Sequence, residues 1–153
     1  MKEKATRDLE QELLSAYPKD MSKYINENKD VFIDGRRNFM EYMNQKLKEK
    51  GMQKQDVLLR ADISQGYGYK LLNEEKHTRQ RDVILRICYA AELTLQETQH
   101  VLKLYRMEEL YAKISRDAFI MTCFNKRPGS IIEVNELMVK NKIEPLRTSG
   151  TQD

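Results

Sequence analysis

The chain has 153 residues, which suffices for one domain or for a small domain with extensions. Hydrophobic residues make up 40% of it and charged residues 33%, so a real core beneath a highly charged surface is expected. No apolar run approaches the about 18 residues of a membrane span, and the N-terminus lacks the apolar region of a secretory signal, so we expect no membrane insertion. The two cysteines, Cys88 and Cys123, lie among apolar neighbours, which favours buried free thiols over a disulfide and predicts a cytoplasmic protein.

The positive charge is concentrated in the middle of the chain. Residues 36–90 contain 12 Lys and Arg against 7 Asp and Glu, a net charge of +5, whereas residues 1–35 are net negative and residues 91–153 are neutral. A local basic excess is typical of a surface that contacts phosphate, although a solvated lysine-rich surface has the same composition.

The N-terminal part predicts two short helices. An apolar stripe marks the first, over residues 4–16, at Leu9, Leu13 and Leu14. Pro18 ends this helix, because proline removes a hydrogen-bond donor and clashes with the preceding turn. Asp20 is the expected cap of the second helix, whose inward side chains are predicted to be Met21, Tyr24 and Ile25. The brief apolar run Val31-Phe32-Ile33 follows.

A longer helix is predicted next, with Asp34 as its N-cap and Gly51 as its stop. Its apolar face has helical spacing and contains Phe39, Met43 and Leu47. Two short helices over residues 54–60 and 64–72 follow.

Capping residues mark the helices of the second half. Thr78 is expected to open one helix, and Thr94 with Glu97 predicts a capping box at the start of the next. Ser130 and Glu133 predict a second capping box after the break at Pro128-Gly129.

The periodic pattern divides the chain into four segments. Residues 34–106 form one unit of five helices, with an N-terminal helical extension over 1–33 and a C-terminal helical pair over 107–147. The flanks are too short to hold cores of their own, so we expect them to pack against the unit or against a partner. Residues 148–153 are predicted to be a disordered tail.

Residues 54–73, KQDVLLRADISQGYGYKLLN, predict a short helix, a tight turn and a second short helix. This segment and its surroundings, about residues 36–105, resemble the XRE, or lambda-repressor-like, helix-turn-helix family. The matching positions are Leu47, Gly51, Ser64 and Leu71. The resemblance implies an all-α, five-helix lambda-repressor-like domain that binds double-stranded DNA, with residues 64–72 as its recognition helix and with a homodimer as the active form.

The resemblance also implies which residues contact DNA. The base-contacting positions are Gln65, Gly66, Tyr69 and Lys70, where Gln65 can pair with adenine and Lys70 with guanine. The expected phosphate contacts are Lys54, Ser64, Tyr67, Asn73, Lys76, His77, Arg79 and Arg81.

Two glycines depart from the family pattern. Gly68 occupies a position where the family buries isoleucine, and each glycine inside a helix costs about 1 kcal/mol relative to alanine. The helical register places Gly68 inward and Gly66 outward. Either Tyr67 or Tyr69 is expected to fill the space beside Gly68, or the glycines let another backbone approach closely. Asp62 replaces a glycine that adopts positive φ in the family.

The sequence contains no recognisable catalytic motif. Neither His77 nor His100 has a metal-ligand partner at helical spacing, and Gly66-x-Gly68 lacks the third glycine and the strand of a dinucleotide loop. Cys88 has apolar neighbours rather than a base, which is typical of a packed thiol. We therefore expect a protein without enzymatic activity, metal or cofactor.

Three functions are compatible with these features. The first is a sequence-specific, dimeric transcriptional regulator that binds DNA. The second is a protein-interaction module that uses the Gly-Tyr-Gly-Tyr face, with the N- or C-terminal helices holding a protein partner. The third is a ligand sensor whose pocket is lined by Met107, Tyr111, Ile114, Met121 and Phe124, against the simpler expectation that these residues cover the core.

Overall fold

The structure, a computed structural model, describes residues 5–28 and 38–148. All regular elements within these ranges are helical, which confirms the all-α prediction. The chain divides into two units, residues 1–37 and 38–153. Among the described helices, none combines the length and the apolar character that a bilayer span requires.

The N-terminal unit contains two helices, α1 (Thr6–Leu14) and α2 (Met21–Glu27), joined through a 3-10 turn at Pro18–Asp20. Neither helix buries an apolar side chain. The prediction that Ile25 faces inward is wrong, because it is 47% exposed, and Leu14 of the apolar stripe on α1 is 81% exposed. Helices this short present too little apolar surface for a core. The run at 31–33 lies outside the described residues.

The second unit contains the remaining helices in chain order: α3 (Phe39–Lys50), α4 (Lys54–Ala61), α5 (Gln65–Leu72), α6 (Arg81–Ala90), α7 (Leu95–Leu104), α8 (Ser115–Lys126) and α9 (Ile131–Lys140). Helix α3 begins at Phe39, and the Asn38 side chain caps it by accepting from the Glu41 N–H at 2.9 Å. Asp34, the expected cap, lies outside the described residues. Gly51 ends α3 with φ 65°, as predicted.

Helix α6 is the centre of the second unit, and every residue from Val83 to Ala90 is buried. Helices α4, α7 and α9 pack against it. The hydrophobic core extends from Phe39 to Leu146, and α8 and α9 contribute Ile120, Phe124, Val134 and Met138. Segments 34–106 and 107–147 therefore share one core wherever they are described, as expected of a flank too short to fold alone. The predicted tail, apart from Thr148, lies outside the described ranges.

The start of α6 differs from the prediction. The helix begins at Arg81 rather than near Thr78, and Gln80 occupies the N-cap position. Thr78 is buried, and its polar groups are satisfied there. Its N–H donates to the Tyr105 hydroxyl at 3.2 Å, and its hydroxyl accepts from the Gln80 N–H at 3.0 Å. The bond to Tyr105 and the bond between residues 78 and 80 together hold these residues outside the helix.

The other predicted caps differ in outcome: Asp20 occupies the N-cap position of α2 without a side-chain capping bond, the capping box at Thr94 is complete, and Ser130 makes only one of the two capping-box bonds. Thr94 and Glu97 form the capping box of α7, with bonds of 2.9 and 3.0 Å. Ser130 caps α9 by accepting from the Glu133 N–H at 3.3 Å, while its hydroxyl donates to the Glu133 carboxylate at 3.4 Å.

Candidate nucleic-acid interface

The candidate interface centres on α5 and the turn that leads into it. Asp62 ends α4 in the left-handed region, with φ 56° and ψ 48°, at the position where the resemblance predicts a positive φ. Ile63 is 5% exposed and anchors the turn in the core. Ser64 occupies the N-cap position of α5, but its hydroxyl makes no capping bond.

The two sides of α5 differ sharply. Gly68, Leu71 and Leu72 are buried, whereas Gly66 and Lys70 are exposed. This division confirms the predicted register, with Gly68 inward and Gly66 outward.

Leu58 of α4 explains the inward glycine. A Cβ built on Gly68 would lie 2.7 Å from Leu58 Cδ1 and 2.9 Å from Leu58 Cγ. Leu58 is itself fully buried, so its side chain occupies the space that an isoleucine would need. The expectation that Tyr67 or Tyr69 fills this space is therefore wrong. A glycine here lets α5 pack closely on α4.

The base-contacting candidates differ in their availability. Nothing lies within 4 Å of a Cβ built on Gly66, so the first turn of α5 is open to close approach. Lys70 is exposed and has no carboxylate partner among the described residues. Gln65 is half-buried, and its amide donates to the Gln55 carbonyl at 3.2 Å, a bond that it must release to reach a base. Tyr69 is half-buried against the core.

Four of the predicted phosphate-contacting residues contact one another in two pairs. Lys54 Nζ donates to Asn73 Oδ1 at 2.8 Å, which ties the start of α4 to the end of α5. Lys76 Nζ lies 5.0 Å from the centre of the Tyr67 ring, within the range of a cation–π contact. The structure thus brings Lys54 together with Asn73, and Tyr67 together with Lys76.

The remaining phosphate candidates lie in the connection between α5 and α6. His77 stacks on Tyr105 with ring centroids 4.3 Å apart, and Arg79 is exposed. Arg81 is less available for a phosphate contact than Arg79, because its guanidinium forms two bonds with Asp117, at 2.5 and 3.2 Å. Asp117 is 1% exposed, so this pair links α6 to α8 inside the fold. That arrangement weakens the prediction that Arg81 contacts phosphate.

Acidic residues from outside 36–90 offset part of its basic excess. Lys46 Nζ lies 2.9 Å from Glu97, and Arg60 lies 3.7 Å from Glu92. Burial acts to raise the pKa of Glu97, but bonds from Lys46 and from the Thr94 N–H, with the charges of the neighbouring lysines, lower it overall. Glu97 is therefore ionised and neutralises part of the positive charge of Lys46 and its neighbours, so the basic surface is smaller than the sequence suggests.

Arg86 is a structural residue that the sequence reasoning missed. It is 1% exposed within α6, donates to the Ala61 carbonyl at 3.0 Å and to the Leu146 carbonyl at 2.9 Å, and lies 3.6 Å from Asp62. Burial lowers the pKa of Arg86, and the charges of Asp62 and Asp82 oppose that effect. The sequence does contain a signal for this role, because Arg86 lies inside an otherwise apolar run. Burying an arginine costs free energy unless its N–H donors are hydrogen-bonded.

Neither cysteine has the surroundings of a nucleophile. Cys88 and Cys123 are buried free thiols, as predicted. Burial raises the pKa of the Cys88 thiol to about 12, so it remains protonated at neutral pH. No group of three or more His, Cys, Asp or Glu side chains that would suit a metal ion occurs in the described ranges.

The predicted sensor pocket is divided between the core and the surface. Phe124 is buried, Met107 and Met121 pack against the core, and Tyr111 and Ile114 are 53% and 46% exposed. These positions fit the simpler expectation that the C-terminal residues cover the core.

We find no match to this chain among models of known protein families, curated proteins or solved structures.

Proposed function

We propose that the second unit is a lambda-repressor-like helix-turn-helix domain that binds double-stranded DNA with α5 in the major groove. The observation that carries this proposal is the two-sided character of α5. The helix is packed on α4 through Gly68 and leaves Gly66 and Lys70 exposed on its other side. A short, well-anchored helix with an open outer side suits the groove geometry.

The turn before α5 supports the same function. The connection Asp62–Ile63–Ser64 has three residues, and its positive φ at Asp62 sets the angle between α4 and α5. Lys54 and Asn73 hold the far ends of the two helices together. The pair can therefore dock on DNA as one rigid element, with Lys76 and Arg79 beside it for phosphate contact.

In this proposal the protein is a cytoplasmic transcriptional regulator without enzymatic activity, and it acts as a homodimer. Dimers of this class read two half-sites about 34 Å apart or multiples of that distance on one face of the duplex.

A DNA pull-down followed by fluorescence anisotropy on the selected duplex tests the proposal. Lys70→Glu is expected to reduce affinity by roughly tenfold or more, because it replaces a groove-facing cation with an anion. Lys140→Glu is the matched control, since Lys140 is an exposed lysine at the end of α9 and the same charge reversal there should leave affinity nearly unchanged. Equal affinities for wild type, Lys70→Glu and Gln65→Ala would remove α5 from the interface.

Gly66→Ala separates binding from stability. The added methyl group has open space and removes the helix cost of glycine, so the variant should be more stable by about 1 kcal/mol. It should nevertheless bind DNA more weakly if the first turn of α5 approaches the duplex closely. A weaker complex from a more stable protein cannot be attributed to unfolding.

The second function, a protein-interaction module on the same fold, is favoured by two observations. The acids Glu92, Glu97 and Asp117 offset cations of the central segment, and α5 presents tyrosines beside an open glycine. Salt distinguishes the two functions. DNA binding should weaken steeply with added salt, by about 0.9 in log affinity per log salt for each phosphate contact, whereas a tyrosine-centred protein interface should weaken much less.

A further inference from the structure

A cleft beside the start of α6 contains more arginine than any part of the α5 surface. It has a volume of about 360 Å³ and is lined by Arg79, Arg81, Asp82, Arg116, Glu144 and Arg147. Its walls come from the turn before α6, from α8 and from the segment after α9, which we call the C-terminal strap (residues 143–147).

Two of the arginines are occupied in building the walls. Arg116 forms two bonds with Asp82, at 3.0 and 2.9 Å, and donates to the Glu144 and Pro145 carbonyls. Arg81 is paired with the buried Asp117. These bonds engage both guanidinium groups and neutralise the buried Asp117 and the half-buried Asp82.

The other two arginines have donors available for a ligand. Arg79 is exposed and has no carboxylate partner in the described part of the chain. Arg147 donates its backbone N–H to Asp82 at 2.9 Å, which fixes the strap beside the cleft, while its side chain meets Glu144 at 3.1 Å. That pair is 63% and 65% exposed, so a ligand can displace Glu144 at little cost.

We propose that this cleft binds a phosphate group, with Arg79 and Arg147 as the ligating side chains and Glu144 as their competitor. Two guanidinium groups on one small cleft match the charge and the bidentate bonding of a phosphate. Asp82 does not oppose the anion, because Arg116 already neutralises it. The group belongs either to a small phosphorylated ligand or to a nucleic-acid backbone, and the proposal does not depend on DNA binding by α5.

Titration of the full chain with inorganic pyrophosphate, followed by NMR at low salt, tests the site. Wild type should bind saturably, and Arg79→Gln with Arg147→Gln should weaken binding by roughly tenfold or more. Arg106→Gln is the matched control, since Arg106 is exposed and lies outside the cleft. Glu144→Gln should bind two- to fivefold more tightly, roughly the effect of removing one exposed ion-pair partner. This gain cannot come from misfolding.

A competing DNA duplex identifies the source of the phosphate. Displacement of pyrophosphate by the duplex assigns a nucleic-acid backbone, and undisturbed binding assigns a small phosphorylated ligand; both outcomes support the site. The absence of saturable binding by wild type, or equal affinities for the arginine double variant and Arg106→Gln, overturns it. Neither result tests base contact by α5, because the substitutions leave that helix unchanged; Arg79 is the one residue shared with the proposed DNA interface, and Lys70→Glu tests that interface separately.

Discussion

Gly66 and Gly68 are two residues apart in one helix, yet their surroundings are opposite. Gly68 is buried, and Leu58 leaves no space for a Cβ atom there. Gly66 is exposed, and nothing approaches within 4 Å of the same atom. The intrinsic helix cost of glycine is the same at both positions, so only the surroundings distinguish them.

Alanine substitution should therefore change stability in opposite directions. Gly66→Ala should raise the free energy of unfolding by about 1 kcal/mol, from helix propensity alone. At Gly68 the same gain competes with overpacking, which costs typically 1–3 kcal/mol in a tight core, so Gly68→Ala should be destabilising by about 1 kcal/mol. Urea unfolding with unchanged slope measures both values.

Leu58→Ala supplies the control for this mechanism. Alone it should cost about 2–5 kcal/mol, as buried leucines do, but less in the Gly68→Ala background, where the new methyl group occupies part of the vacated space. Strictly additive effects would mean that Leu58 is not what excludes a side chain at position 68.

Cys88 makes stability depend on pH in the alkaline range. Its pKa is about 12 in the folded protein, against an ordinary value of 9.0, because burial disfavours the thiolate. As pH rises above 9.0, the Cys88 thiol ionises in the unfolded chain before it ionises in the folded protein. The contribution of Cys88 to the free energy of unfolding is therefore constant below pH 9.0 and falls with rising pH until the folded thiol ionises near 12. Cys88→Ala lacks this loss. Between about pH 8 and 10, wild type should lose roughly 1 kcal/mol more stability than the variant in denaturant titrations.

At the scale of elements, the C-terminal strap is bonded to three helices, α6, α8 and α9, and its bonds to α8 come from Arg116. The Leu146 N–H and carbonyl both bond to Asn135 of α9, and the same carbonyl accepts from Arg86 of α6. Arg86 also donates to Ala61 at the end of α4. The turn before α5 and the strap are therefore linked by one buried guanidinium.

Arg86→Met should destabilise the protein by about 2–4 kcal/mol, although methionine matches the apolar surroundings. The reason is that the Ala61 carbonyl loses its guanidinium donor and the Leu146 carbonyl keeps only the 3.3 Å bond from Asn135, and an unsatisfied buried group costs about 1–3 kcal/mol. Hydrogen exchange should report the loss at residues 61–64 as well as in the strap. Arg60→Met, at a half-exposed pair with Glu92, is the control and should cost less than about 1 kcal/mol. A neutral Arg86→Met would show that the two carbonyls do not need this donor.

The predictable elements are those specified by local chemistry. The capping box at Thr94, the stop at Gly51 and the outward Gly66 follow from spacing and from backbone preference within a few residues. The predicted start of α6 at Thr78 was wrong because a long-range bond to the Tyr105 hydroxyl holds Thr78 outside the helix. The α6 cleft joins residues about 65 positions apart, as in the Arg147–Asp82 bond, and periodicity contains no information on such pairs.

At the scale of the whole molecule, the hydrophobic core belongs to the second unit. The buried apolar side chains of the described residues all lie between Phe39 and Leu146. In the N-terminal unit, helices α1 and α2 bury no apolar side chains. Although their sequences are amphipathic, these two helices do not form a core of their own. Helices of this length gain most of their stability from packing rather than from propensity.

Removal of residues 1–37 should therefore leave the melting temperature of the second unit within about 2 °C of the full chain, since a loss of 1 kcal/mol shifts a domain of this size by roughly 4 °C. Removal of residues 143–153 is the matched truncation at the other end. It takes away the buried Leu146 and the backbone groups that bond to Asn135 and Arg86, so the melting temperature should fall by roughly 8 °C or more. Calorimetry of the three proteins checks both values. Equal losses from the two truncations would contradict a core confined to the second unit, because α1 and α2 would then contribute as much stability as the strap.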